Sequence, residues 1–485
     1  PARQPVNFDG GGTETSPYII KSYAELMGLA QLVNVEKKNQ EGVYYKLGSN
    51  IDCSNQNYYY TPIGKITASA DYVNNANEVP GVPFAGHFDG GNYTISGIDY
   101  ECGNRGGIGV FGWVSAQGSV SNLRVDRCTF LSEGIGTGAV VGHNQGLISK
   151  CESTSNQVLF TKYNGGGIAG GHRGVIEGCM STSTLMGYGN MGGISGGATG
   201  TIRDCQARGS MTFFGIQNSM YPNAGGLTGT INGSWCQEGA PALIERCIAA
   251  VAITDRTSEG TTGGFIGSIL CSTAKSPVQV RECLCITTMA TNATYAQTGP
   301  TSYTSGRAGG FLGSLWRGQI SDCVVTGVLM APKDPKYVGA LTGYIMSDKD
   351  TKVENFLSTC QVIVSNTTPK AQNAIYSEIT STYEKYLTNV YYDRQLVGLD
   401  YSSTNFKGNL TTAALTGAEG PAGFGDKWKF TAGLYPQLKT LADNGAMQVA
   451  ASPIFLTGDE TSRMVKSNFT MSTANNVRWS IMGSD

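Results

Sequence analysis

Three groups of residues in this chain have the types and spacing for chemistry. His143-Asn144 follows Gly142 directly and His172-Arg173 follows Gly170 by one extra residue, in successive copies of one motif that should bring them near one another. Imidazole, amide and guanidinium groups from neighbouring copies would make a small polar patch able to contact a ligand, although an exposed turn needs polar residues for its own sake. Asp204 and Asp322 share a register just before a cysteine, and the copies between them place Arg246 and Glu282 there. A glycoside hydrolase would need two facing carboxylates at such a register, and a lyase would need a Ca²⁺-holding carboxylate cluster with a base. The mixed signs read better as a solvated outer face. Tyr58, Tyr59, Tyr60 and Tyr221 could stack on sugars, but strand packing near a cap explains them more simply.

The thirteen cysteines are the third group. C-x-x-C spacing is missing, and Cys283 with Cys285 is only a two-residue step, so the residues predict no metal site and no cofactor. No catalytic residue is assigned.

The elements that must position these groups come from a repeat. It reads Gly166-Gly167-Ile168-Ala169-Gly170 with Ile176-Glu177-Gly178-Cys179, Gly192-Gly193-Ile194-Ser195-Gly196 with Ile202-Arg203-Asp204-Cys205, and Gly309-Gly310-Phe311-Leu312-Gly313 with Ile320-Ser321-Asp322-Cys323. The closing glycine recurs as Gly112, Gly142, Gly170, Gly196, Gly229, Gly267, Gly313 and Gly343, with a shortest spacing of 26 residues and later copies lengthened by insertions. A repeat of this length is a solenoid whose units bury their apolar faces against each other. The insertions after Gly229, Gly267 and Gly313 are where partner contacts are expected, because long loops on a rigid scaffold commonly carry function.

After each cysteine the chain alternates with period two. Cys179 leads to Ser181, Ser183 and Leu185; Cys205 to Ala207, Gly209 and Met211; Cys247 to Ala249, Val251 and Ile253; Cys283 to Cys285, Thr287 and Met289. A strand face that reads cysteine, small, small, apolar in copy after copy points into a narrow interior. Cys151, Cys179, Cys205, Cys247, Cys283 and Cys323 would then stack about 4.8 Å apart, too far for a bridge, and are expected as free buried thiols. Cys236 and Cys271 follow the closing glycines of adjacent copies, and a bridge between them is a separate hypothesis. The paired glycines fit corners that need positive φ or close backbone approach.

The expected fold is all-β, a right-handed parallel β-helix. Ser22-Tyr23-Ala24-Glu25 is a capping box, and Leu26, Leu29, Ala30, Leu32 and Val33 follow at helical spacing, so a short helix should close the N-terminal end. Residues 1–105 read as that cap and its entry coils, 106–440 as repeats and closing coils, and 441–485 as a linker with a β-rich tail. Asn389 to Asp393 looks like a last strand, and Trp428 with Leu434-Tyr435-Pro436 like the closing turn. Glycine supplies 67 of 485 residues and charged residues 14%, with a net charge of -2. That leaves no field to steer nucleic acid, and no apolar run is long enough to span a membrane.

Phe84-Ala85-Gly86-His87-Phe88-Asp89-Gly90-Gly91-Asn92-Tyr93-Thr94-Ile95-Ser96-Gly97 resembles the entry segment of GLUG-repeat proteins. The opening Gly11-Gly12-Thr13 to Ile20 and the Gly-Gly-apolar-x-Gly copies are similar to the same family, over most of residues 8–440. The resemblance implies a haemagglutinin-like β-helix of Bacteroides-type cell surfaces, adhesive or glycan-contacting, and it brings no catalytic residues. Residues after Pro453 resemble the first strands of a bacterial Ig-like domain. The family's Asn-Cys step is replaced here by Lys150, Gly178, Asp204, Arg246, Glu282 and Asp322 before the cysteine, with no continuous asparagine ladder. The functional expectation is therefore an exported, extracellular or cell-surface monomer that binds glycans or proteins without catalysis. A polysaccharide lyase or glycoside hydrolase, and a passive rigid spacer, are the alternatives.

Overall fold

The eight closing glycines land in eight parallel strands of one sheet: Phe111–Val114, Val141–Asn144, Ala169–His172, Ser195–Ala198, Thr228–Asn232, Ile266–Leu270, Leu312–Leu315 and Thr342–Ile345. The computed structural model describes residues 6–67, 81–103, 106–161, 163–215, 222–233, 241–272, 275–294, 306–333, 337–346, 348–364, 374–376, 385–394 and 408–443. Among them the chain is a parallel β-helix. Two eight-stranded sheets and one 25-stranded sheet form its walls, and nearly every pairing is parallel. One coil runs through Gly136–Gly138, Val141–Asn144, Leu147–Ser149, Glu152–Thr154 and Gln157–Thr161 before the next begins at Asn164.

Stacking in register makes columns. Ile148, Ile176, Ile202, Ile244, Val280, Ile320 and Val353 pair successively, and all are buried. The predicted inward sets are buried as well, including Ser181, Ser183, Ala207, Ala249 and Cys285, with the exception of Gly209, which is exposed where the strand takes a positive φ of 104°. The six stacked cysteines are free and buried. Each thiol donates to the carbonyl two residues earlier, as Cys205 does to Arg203 O at 3.2 Å. Cysteine suits this site because it fills a small apolar position while weakly satisfying a corner carbonyl.

The paired and closing glycines are required by close approach rather than by positive φ. A Cβ on Gly193 would meet Ala207 Cβ at 2.6 Å, and one on Gly142 would meet Gly107 Cα, in the preceding coil, at 2.6 Å. Positive φ falls instead on the residue before each cysteine: Lys150, Gly178, Asp204, Arg246, Glu282 and Asp322 have φ between 51° and 62°. Asn122, Asn355 and Asn389 occupy the same corner in the outer coils. A left-handed conformation suits Asn and Gly and costs other residues about 1 kcal/mol or more.

The predicted helix is Tyr23–Asn34, with both halves of the capping box formed and Leu26, Leu29, Ala30 and Val33 buried against the first coil. At the other end, Leu387–Asp393 and Asn409–Leu410 add the last parallel strands. The expected closing turn behaves differently. Residues 408–443 form a strap that folds back along the flank of the rod. Its Leu415, Phe424, Trp428, Tyr435, Leu438 and Leu441 pack in one cluster with Ile248, Leu284, Val324 and Leu357. Those four side chains belong to one outward-facing column that reads Glu152, Met180 and Gln206 in the earlier coils. Four consecutive apolar residues facing outward need a cover, and the strap supplies it.

Tyr221, Cys236, the tail from 444 onward and parts of the three insertions lie outside the described residues. Cys271 is buried, and its thiol donates to Ser276 O at 3.2 Å.

Candidate functional site

The histidine patch is interior, not an exposed turn. His143, Asn144 and His172 are buried, and Arg173 alone of the four is partly exposed. Register explains why. His143 pairs with Gly171 and Asn144 with His172, so the one-residue offset puts the two histidines on opposite faces of their sheet. His172 shares the inward column of Val114, Asn144, Ala198 and Ile231. Its Nε2 donates to Thr201 O at 2.9 Å, so Nδ1 accepts from Asn144 Nδ2 at 3.2 Å. Asn144 is completed by Gly146, through Nδ2 to its carbonyl and Oδ1 from its amide. The His143 ring lies over Gly171, where a Cβ would come within 2.8 Å of Nδ1. Burial pushes His143 down to about 3 and His172 down to about 4, so both are neutral at ordinary pH. Asn144 and His172 organise the interior, His143 is buried on the other face of the sheet, and Arg173 alone reaches solvent.

The tyrosines divide. Tyr60 is buried with its hydroxyl on Val110 O at 2.8 Å, and Tyr23 donates to Tyr58 O at 2.9 Å, which is the structural role expected of cap residues. Tyr59 stands 91% exposed.

The corner residues before the cysteines carry more chemistry than the sequence reading allowed them. Two outward columns run side by side. One holds Lys150, Gly178, Asp204, Arg246, Glu282, Asp322 and Asn355, and the other holds Ser149, Glu177, Arg203, Glu245, Arg281, Ser321 and Glu354. Opposite charges therefore stack on one another. Arg203 reaches Glu177 at 2.8 Å, and Arg246 holds Asp204 through Nε at 2.7 Å and Nη2 at 3.0 Å. Arg281 clamps Glu245 Oε2 through Nε and Nη2 at 2.8 and 2.7 Å, while Arg246 Nη1 lies 3.2 Å from Glu245 Oε1. Forked contacts of this kind are the stronger form of ion pair. The hydrogen-bonded Asp204 carboxylate holds the Arg246 guanidinium well above its ordinary value.

The solvated outer face expected at this register is corrected where the strap crosses it. Glu245 and Glu282 are 5% and 6% exposed. Lys427 of the strap lies 2.7 Å from Glu282 Oε1, and Trp428 Nε1 donates to Asp322 Oδ1 at 2.8 Å. The result is a cleft of about 260 Å³ lined by Glu245, Arg246, Arg281, Glu282, Ser321, Asp322 and Lys427. Sequence reasoning found Arg246, Glu282 and Asp322 but missed Glu245, Arg281, Ser321 and Lys427. The alternation of acid and base two residues before the cysteine was the available signal. Lys427 gave none, since its approach depends on how the strap folds back.

Chemically, the cleft is a closed set of charges. Its three carboxylates face three cations, and Glu245, Glu282 and Asp322 are all engaged by a cation or an indole N–H. General acid or base catalysis would call for a carboxylate free to exchange a proton with substrate. Among the described residues no group of three or more His, Cys, Asp or Glu is placed to hold a metal ion.

An asparagine ladder does exist, at another position. Asn190 Nδ2 donates to Asn164 Oδ1 at 3.1 Å and Asn223 Nδ2 to Asn190 Oδ1 at 3.2 Å. These residues begin Asn164–Gly166, Asn190–Gly192 and Asn223–Gly225, three Asn-x-Gly steps. The expectation of no continuous ladder holds only for the corner before the cysteines, where Asn355 and Asn389 form a short one at 3.0 Å.

No family model matches the chain. Halomucin of Haloquadratum walsbyi is 28% identical over 171 residues, 35% of this chain and 2% of that protein. A protein of Evansella cellulosilytica assigned as a Gly-rich membrane protein is 32% identical over 144 residues, 29% of this chain and 15% of that protein. The chain thus matches only a small part of either relative's length. The crystal structure of a Bacteroides ovatus protein assigned as an immunoglobulin A1 protease superposes with a TM-score of 0.42 at 18% identity, covering 62% of this chain and 85% of that one. Among the described residues no helix is long and apolar enough to cross a membrane.

Proposed function

We propose that this chain is an exported, surface-displayed β-helix of the GLUG-repeat type that serves as an adhesin-like scaffold, binding glycans or proteins as a monomer without catalysis. The observation that carries the non-catalytic reading is the cross-paired cleft, in which each carboxylate is held by an arginine, a lysine or an indole. A hydrolase or lyase on this fold would leave such groups open to substrate. The surface setting draws support from the two relatives, one named as a mucin and the other assigned to a membrane. The family assignment rests on the entry segment and the repeated glycine motif.

A broad glycan array, with the same polysaccharides run through reducing-end and unsaturated-product assays, tests the reading. Retention on the array without product is expected. Release of product would replace the scaffold with the lyase or hydrolase, and silence in both assays would leave protein binding or a spacer role.

A further inference from the structure

The cleft beneath the strap has an internal asymmetry that bears on its ligand. Its cations are the exposed partners, with side-chain exposures of 46% for Arg281 and 55% for Lys427, while Glu245 and Glu282 beneath them stand at 7% and 8%. Solvent therefore meets mainly N–H donors, held in position by carboxylates at the floor. Three positive and three negative lining residues leave no net charge to favour an ionic ligand. Glu282 Oε1 lies buried at the floor, 2.7 Å from the Lys427 ammonium that covers it.

Donors at the mouth, with the partly exposed Ser321 hydroxyl and Asp322 carboxylate beside them as acceptors, form the complement of a hydroxyl pair, in which each oxygen accepts one hydrogen bond and gives another. At about 260 Å³ the space is below the range typical of drug-sized ligands, so it accommodates one ring rather than an enclosed oligomer.

From the floor of buried carboxylates, the rim of exposed donors and the net neutrality, we propose that the cleft between the corner columns and the strap binds a single neutral, polyhydroxylated ring of a glycan. The proposal rests on the binding-scaffold reading and deepens it by naming the site and the ligand class. The strap is then part of the site, because Lys427 supplies the wall that turns an open charged face into a cleft.

Isothermal titration with neutral gluco-, manno-, galacto- and xylo-oligosaccharides, against oligogalacturonate as the anionic counterpart, tests it on the full chain. At least one neutral series should bind, and oligogalacturonate should bind more weakly. Ser321→Trp, which fills the cleft from an outward-facing strand position, and Lys427→Met, which removes the strap wall, should each weaken binding about tenfold or more. Lys427→Met serves as the readout if the bulkier variant fails to fold. Unchanged affinity in the variants, or a preference for the anionic series, overturns the site while leaving the scaffold reading intact. Loss of every glycan and protein interaction by the wild-type chain would overturn both.

Discussion

Asn144 Nδ2 donates to His172 Nδ1 across 3.2 Å inside the coil stack, in a column otherwise filled by Val114, Ala198 and Ile231. This contact is possible only while the imidazole is neutral, because a protonated ring has no acceptor to offer. The pair therefore couples the interior of the rod to pH.

The direction follows from the depressed values of His143 and His172, about 3 and about 4. Unfolded histidines take up protons near pH 6.5, whereas the folded ones resist until far lower. Stability is fully present above about pH 6.5 and is lost progressively as pH falls toward 4. Thermal unfolding followed at pH 7.5, 6, 5 and 4 should show this decline. The double variant His143→Leu, His172→Gln should flatten it, and an equally steep profile in that variant would assign the acid sensitivity to other groups.

Burial also raises the stacked thiols well above their ordinary value, at Cys151, Cys179, Cys205, Cys247 and Cys283. Thiolate is the reactive form, so iodoacetamide should label none of these five in the folded chain and all of them in guanidinium. Peptide mapping without reductant gives the answer. A disulfide found between neighbours of the column would contradict the stacking geometry.

Lys150 isolates the cost of the corner. It is exposed, has φ 52°, and lies between Asn122 and Gly178 in its column. Lys150→Gly or Lys150→Asn relieves the left-handed strain and should stabilise the chain by about 1 kcal/mol. Chemical denaturation can resolve that difference. The same change at Glu282 should gain less, because it also removes the ion pair that Lys427 of the strap makes with this corner.

What could be read in the sequence was whatever repeats with the coil. The eight closing glycines, the cysteine column and the alternation behind it are fixed by contacts between equivalent positions of neighbouring coils, so each copy restates the same constraint. Gly171 shows where that logic stops. It leaves room for the His143 ring, and it is the extra residue by which His172 follows Gly170, an offset visible in the sequence whose consequence, the two histidines on opposite faces, follows only from the strand register. The strap was hidden for a different reason. Its packing joins Trp428 to Asp322, 106 residues away, and no periodicity connects them. A trace was present at the position after the cysteine, or after Phe356 in its place, which reads Glu152, Met180 and Gln206 before it becomes Ile248, Leu284, Val324 and Leu357. An outward strand position that becomes apolar for four coils in succession predicts a cover, but not which segment supplies it.

That apolar stripe yields the sharpest test of the strap. Its contact with the rod combines the Leu284 and Val324 cluster, the Tyr391–Phe424 ring contact at 5.6 Å, and polar ties such as Tyr435 to Asp393 at 2.6 Å. Replacing Val324 with Asp puts an unpaired carboxylate beneath the buried indole, which costs several kcal/mol unless the strap lifts away. The coils do not depend on that outward side chain, since their own columns remain buried. Val324→Asp should therefore keep its β-type circular dichroism while the 408–443 segment becomes open to limited proteolysis and the exposed stripe binds a hydrophobic dye. A strap that stays protected in this variant would mean that its polar ties alone hold it. Collapse of the whole β signal would instead make the strap an integral part of the rod's stability.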